Sequence, residues 1–115
     1  MGLGFVGLSL TSVLASKGYN VVGIDVDKKK CENISNGIPP FFEPDLENTL
    51  KNGLKKGLEI SNKFSAIKNC DFIFVTVGTP QNDNGAIDLS VIKKAITTIG
   101  ENLRENKKRQ TILIK

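Results

Sequence analysis

The stretch MGLGFVGLSL at the start of the chain constrains the fold more than any other, because it sets Gly2, Gly4 and Gly7 in a G-x-G-x-x-G spacing. In a dinucleotide fold each glycine has its own task. Gly2 permits the tight turn, Gly4 carries no side chain to hold a pyrophosphate off the backbone, and Gly7 lets the following helix pack closely on the sheet. Phosphate oxygens then meet free N–H groups and the positive end of a helix dipole. Such a turn normally follows a β-strand and opens a helix. Here the helical pattern follows, while Met1 stands where a hydrophobic strand is expected, so the first strand of the sheet is expected to be missing.

Val6, Leu10, Val13 and Leu14 recur at helical spacing, which predicts a helix over 5–17 with that face buried and a left-handed cap at Gly18. Residues 19–25 read as a short buried strand, and Asp27 as the cap of a helix that passes Cys31 and Ile34 and stops at Gly37. Pro39, Pro40 and Pro44 exclude a helix interior over 38–44. Leu46, Leu50 and Leu54 line a helix over 44–54, followed by a short strand at 58–60 and a short helix over 61–69. Residues 71–77 are the clearest strand, apolar enough to be buried on both faces, and they lead into Gly78, Thr79, Pro80 and a polar loop to Asp88. Ile92, Ala95, Ile96, Ile99 and Leu103 mark a last amphipathic helix, and 111–115 a last strand. The alternation implies an α/β chain with a doubly wound parallel sheet and right-handed crossovers. Residues 1–115 are expected to form one partial dinucleotide-binding domain of this Rossmann-like class.

Asp25 follows Gly7 by eighteen residues and ends the second strand, where an acid accepts hydrogen bonds from the adenosine ribose. A carboxylate there repels a 2′-phosphate, which favours NAD over NADP. Val77, Gly78, Thr79 and Pro80 lie at the same edge, outside the carboxyl end of a later strand, where ligands of open α/β sheets bind. The net charge of +4 is spread over nearly every element, and one Tyr with no Trp offers little for base stacking, so no nucleic acid partner is expected. No apolar run approaches the ~20 residues of a membrane span. With no charged leader and two cysteines outside any metal-binding spacing, the expected address is the cytoplasm. There is no histidine, which removes the commonest general base.

Taken together, these residues resemble the NAD-binding domain of the UDP-glucose/GDP-mannose dehydrogenase family. Gly2, Leu3, Gly4, Phe5, Val6, Gly7 and Leu8 are similar to its G-x-G-Y-V-G-L turn, with Phe5 where tyrosine is usual. Asp25-Val26-Asp27 resembles the ribose-binding strand end, and Lys30 falls where a basic residue near the adenosine is common. Asn36 to Pro39 and Phe42 to Leu46 resemble the N-G-x-x-P-x-x-E-P-x-L segment. Val77-Gly78-Thr79-Pro80 and Gly85 to Ser90 resemble the V-G-T-P loop and the G-x-x-D-L-S stretch, a combination leaning slightly towards the UDP-glucose branch. The resemblance implies NAD as cofactor and a UDP-sugar as substrate of the whole enzyme. It implies oxidation of a C6 primary alcohol to a carboxylate with two NAD, for polysaccharide precursors, and a homo-oligomer only where the family's central region is present.

The family's second oxidation passes through a cysteine adduct, but neither Cys31 nor Cys70 lies in the G-G-x-C context that the resemblance requires. Cys31 sits within a helix, and Cys70 precedes a strand, at the edge of the sheet away from the cofactor. Both are read as small hydrophobes, and no catalytic residue or metal ligand is assigned. Glu43 is read as an acid in the first turn of the helix that follows. Two other readings stay open: a hydroxyacid or hydroxyacyl-CoA type dehydrogenase, and a non-catalytic nucleotide-binding module. The residues 1–115 alone are expected to be inactive.

Overall fold

The structure, a computed structural model, describes residues 1–115. Helix α1 spans Phe5–Ser16, strand β1 Val22–Ile24, helix α2 Lys28–Ser35 and helix α3 Leu46–Lys55. Strand β2 covers Glu59–Ser61, a 3-10 helix Phe64–Asn69, strand β3 Phe72–Val75, helix α4 Ser90–Leu103 and strand β4 Thr111–Ile114. The α/β alternation is as the sequence predicts, and both strand pairs are parallel.

The sheet is split. β1 pairs with β2 from Val22 opposite Glu59 to Ile24 opposite Ser61, and β3 pairs with β4 from Phe72 opposite Thr111 to Val75 opposite Ile114. Between the two pairs runs only the segment Met1–Gly2. Gly2 N donates to Ile24 O at 2.8 Å on one side, and Thr76 N donates to Met1 O at 2.8 Å on the other. The spatial order is therefore β2, β1, the Met1–Gly2 segment, β3, β4. The Met1–Gly2 segment bridges the two pairs through one backbone hydrogen bond to β1 and two to β3 and its end.

Two apolar clusters lie on opposite faces of this sheet. A side chain at Gly23 would meet Leu3, Thr11 and Ile60, while the neighbouring Ile24 points into the other cluster with Ile73, Val75, Ile67, Ala95 and Ile99. Period-two alternation along the strand fixes the two sides. Leu3, Leu8 and Ala15 with Ile34, Leu46, Leu50 and Leu58 put α1, α2 and α3 on the first face, and the second takes the 3-10 helix and α4. This is the double winding.

Several boundaries differ from the sequence reading for local reasons. The strand expected over 19–25 begins at Val22, because Tyr19 N closes the end of α1 on Leu14 O. The helix expected from 44 begins at Leu46, because Asp45 takes a left-handed φ of 63°. Glu43 therefore precedes the helix, and Glu47 is the acid of its first turn. The short helix expected over 61–69 starts at Phe64.

Burial departs further. Of the face assigned to α1, Val6 and Val13 are exposed, and the buried residues are Gly7, Leu8, Ser12 and Ala15. Small residues win there because α1 packs on α3 at close range: a side chain on Gly53 would lie 3.1 Å from Ala15 Cβ. β3 is not buried on both faces either. Ile73 and Val75 face α4 and are covered, whereas Phe72 on the first face is 62% exposed. No helix of the chain is long and apolar enough to cross a membrane.

Candidate dinucleotide site

Gly2 turns the chain with a φ of +90°, a conformation that side chains rarely adopt. Space forbids one as well, since a Cβ there would lie 2.8 Å from Thr76 O. Gly7 is tighter still: its Cβ would fall 1.8 Å from Gly2 O and 2.5 Å from Thr76 Oγ1. The first turn of α1 thus rests directly on the turn that begins it. Gly4 differs from both, as a Cβ there would meet no atom of the chain within 4 Å.

Thr76, which the sequence reading passed over, clamps this turn. Its N–H donates to Met1 O, and its Oγ1 lies 2.9 Å from Met1 O and 2.8 Å from Gly2 O. The signal available was a hydroxyl residue at the end of the clearest strand, directly before Val77-Gly78-Thr79-Pro80. Leu8 N is the first amide of α1 to find a helical acceptor, on Gly4 O at 2.9 Å. The amides of Gly4, Phe5, Val6 and Gly7 donate to no group of the chain, and no side chain caps the helix. Free amides at the positive end of a helix dipole form a site for an anion.

Asp25 joins β1 to this turn. Only 7% exposed, it accepts from Leu3 N at 2.8 Å and Lys30 Nζ at 2.9 Å on Oδ2, and from Asp27 N at 3.0 Å on Oδ1. Burial pushes its pKa up, but the hydrogen bonds from Asp27 N, Leu3 N and Lys30 outweigh that and hold the carboxyl below its ordinary value. Oδ1, with a single partner, keeps a free lone pair. Asp27 caps α2 as expected, its side chain accepting from Lys30 N at 3.0 Å. That cap aims Lys30 back at Asp25.

The other sequence candidates gather around the same edge of the sheet. Val77 Cα lies 3.0 Å from where a Gly2 Cβ would be, and beyond it Gly78, Thr79 and Pro80 are exposed. Pro80 O accepts from Asp88 N at 2.7 Å, closing the polar loop back on itself. Phe5 stacks on Phe41 with ring centroids 4.1 Å apart, tying the proline-rich segment to the glycine turn. Cys31 Sγ lies buried 3.5 Å from both Asp25 O and Ser61 O, and burial pushes its thiol pKa up. Cys70, half-buried before β3, is raised by burial too. A nucleophilic thiol needs the opposite shift.

A family model described as the UDP-glucose/GDP-mannose dehydrogenase family, NAD binding domain, matches residues 1–115. The chain is 39% identical over 105 residues to a UDP-glucose 6-dehydrogenase of Bacillus subtilis, covering 90% of this chain and 23% of that protein. It is 38% identical over 116 residues to a GDP-mannose 6-dehydrogenase of Pseudomonas syringae pv. tomato, covering 99% of this chain and 26% of that protein. Among solved structures it superimposes on GDP-mannose dehydrogenase from Pseudomonas aeruginosa, in a ternary complex, with a TM-score of 0.95 and 36% identity over 98% of this chain and 26% of that one. On UDP-glucose dehydrogenase from Pyrobaculum islandicum the TM-score is 0.93 with 31% identity over 99% and 27%. The chain spans about a quarter of the length of these relatives. It belongs to the UDP-glucose/GDP-mannose dehydrogenase family, of which it carries the NAD binding domain.

Proposed function

We propose that these residues hold the NAD of a nucleotide-sugar 6-dehydrogenase through the glycine turn, Asp25 and the segment after β3. The observation that carries this is the set of unpaired amides from Gly4 to Gly7, beside a Gly4 whose side-chain direction meets no protein atom. NAD fits these residues. The free amides would hold its pyrophosphate, the remaining lone pair of Asp25 Oδ1 would accept from a ribose hydroxyl, and Val77 to Pro80, at the same edge of the sheet, would line the rest of the site. When bound, NAD supplies a hydride acceptor. The chain's own part is to bind and orient it and to repel a 2′-phosphate with the Asp25 carboxylate.

The substrate of the enzyme carrying this domain is, on this reading, a nucleoside-diphosphate hexose, oxidised at C6. UDP-glucose is favoured over GDP-mannose by Val77-Gly78-Thr79-Pro80 and the Gly85–Ser90 stretch. Relatives named for the two substrates match at 39% and 38% identity, so the preference rests on those loops alone. With Cys31 buried, Cys70 half-buried and both thiol pKa values raised, the cysteine chemistry belongs to other parts of that enzyme, and the 115 residues alone are inactive. A reducing, cytoplasmic setting suits two free cysteines. The test is NADH formation by the enzyme that carries this domain, offered UDP-glucose, GDP-mannose and a 2-hydroxy acid in turn. Turnover of UDP-glucose supports the reading. Turnover of the hydroxy acid alone, or of none with NAD still bound, favours the other dehydrogenase type or a binding module.

A further inference from the structure

Gly2 O and the Leu3 N–H belong to one peptide unit, and side chains from two different strand ends hold it. Leu3 N donates to Asp25 Oδ2 at 2.8 Å, and Thr76 Oγ1 lies 2.8 Å from Gly2 O. Asp25 directly follows β1, and Thr76 directly follows β3. The peptide is trans, so its N–H and C=O point opposite ways, each to one of these side chains. The Thr76 hydroxyl has one proton and two carbonyls in reach, the second being Met1 O at 2.9 Å. Met1 O already accepts from Thr76 N at 2.8 Å, whereas no backbone amide donates to Gly2 O. The hydroxyl proton therefore serves Gly2 O. The Met1 nitrogen takes no part in these contacts.

This peptide needs holding. Gly2, at a φ of +90°, is the residue type with the greatest backbone freedom, so nothing intrinsic to it fixes the plane that follows. Leu3, 1% exposed, anchors the chain beyond that plane. Next come the free amides of Gly4 to Gly7, whose directions depend on how the turn enters α1. A Cβ on Gly7 would fall 1.8 Å from Gly2 O and 2.5 Å from Thr76 Oγ1, so carbonyl, hydroxyl and the first turn of α1 meet at one point. The half-buried Thr76 directs its hydroxyl into the turn itself.

We propose that Thr76 is a positioning residue for the dinucleotide. With Asp25 it locks the Gly2–Leu3 peptide and so presets the amides that take the pyrophosphate, without touching the cofactor. This rests on the reading of the glycine turn as the NAD site. An amide array set in advance loses no affinity to ordering of the turn, so unlocking it weakens every ligand that carries the pyrophosphate. Asp25 has a second task at the ribose. Thr76 has none there, and a change at Thr76 therefore isolates the lock.

The test is calorimetric titration of NAD and of ADP-ribose, which keeps the pyrophosphate and lacks the nicotinamide, into the enzyme that carries this domain. Thr76→Val removes the hydroxyl and leaves the backbone N–H to Met1 O. It is expected to bind both ligands about tenfold more weakly, the scale of one lost hydrogen bond. Thr76→Ser restores the hydroxyl and is expected to bind within about twofold of wild type. Should Thr76→Val fail to fold, Thr76→Ala against Thr76→Ser carries the same comparison. Undiminished affinity without the hydroxyl, or an equal loss in Thr76→Ser, overturns the proposal and leaves the NAD reading standing. A loss for NAD with ADP-ribose unchanged overturns it too, since Thr76 then acts through the adjoining Val77 to Pro80. Wild-type enzyme that binds neither ligand overturns the NAD reading and this proposal with it.

Discussion

Leu3 N donates to Asp25 Oδ2 at 2.8 Å, which makes the acid at the end of β1 a strut for the glycine turn. Removing Asp25 therefore tests two things at once. Asp25→Asn leaves an amide donor facing either Leu3 N and Lys30 Nζ or Asp27 N. It is expected to cost ~1.5–3 kcal/mol of stability at neutral pH, the range for hydrogen bonds to a charged group. A melt unchanged from the wild type would show that the turn does not lean on Asp25.

The same carboxylate sets an acid limit. Its folded pKa lies below the ordinary value of 3.8, so the unfolded chain takes up its proton first as pH falls. The contribution of Asp25 is complete above that ordinary value and is lost as pH drops through the depressed folded one. Melts in this acid range are expected to fall more steeply for the wild type than for Asp25→Asn. Parallel curves would contradict the assignment.

The glycines of the turn separate by what they touch. Gly7→Ala forces a Cβ onto Gly2 O and is expected to cost several kcal/mol, of order ~3 or more, as backbone overpacking does. Gly4→Val places its Cβ where no atom of the chain lies within 4 Å, so it should leave the melting temperature within about 2–4 °C of wild type, the shift that a surface change of up to ~0.5 kcal/mol produces. Equal losses at both positions would mean that Gly4 is held by the protein.

Ser12 is fully buried between α1 and α3, and its Oγ has no hydrogen-bond partner. Ser12→Ala removes an unsatisfied hydroxyl where a small side chain is already required. A gain of ~1 kcal/mol is expected in denaturant unfolding, since an unpaired buried hydroxyl costs ~1–3 kcal/mol. A loss of stability would place a partner at that hydroxyl.

The element order was legible because alternation, prolines and capping residues act locally. Asp27 caps α2 and Gly18 ends α1 whatever surrounds them. Faces were less legible. Periodicity groups Val6 and Val13 with Leu10 and Leu14, but which side of α1 is buried depends on α3, whose Gly53 admits only the small residues of α1. The site was legible at its glycines and at Asp25, since their spacing is the motif. Thr76 and the Leu3 amide escaped because their roles arise only where residues more than seventy and twenty positions apart meet.

The sheet centre gives a prediction of its own. About six apolar residues placed ahead of Met1 would extend the Met1–Gly2 segment into a strand between β1 and β3 and cover the exposed Phe72. With four or five side chains buried at ~1.5–3 kcal/mol each, the gain is comparable to the whole stability of a domain, ~5–15 kcal/mol. The extended form should melt cooperatively and well above the 115-residue form. Coincident melts would show that β1 and β3 need nothing between them.

Whether the glycine turn and Asp25 hold NAD is decided most directly by calorimetric titration of NAD and NADP into the extended protein and its Gly4→Val variant. NAD is expected to bind, and NADP at least about tenfold more weakly, because its 2′-phosphate meets the Asp25 carboxylate. Gly4→Val is expected to abolish binding while the melt is retained. Equal affinity for the two cofactors, or a Gly4→Val protein with undiminished NAD affinity, would contradict it.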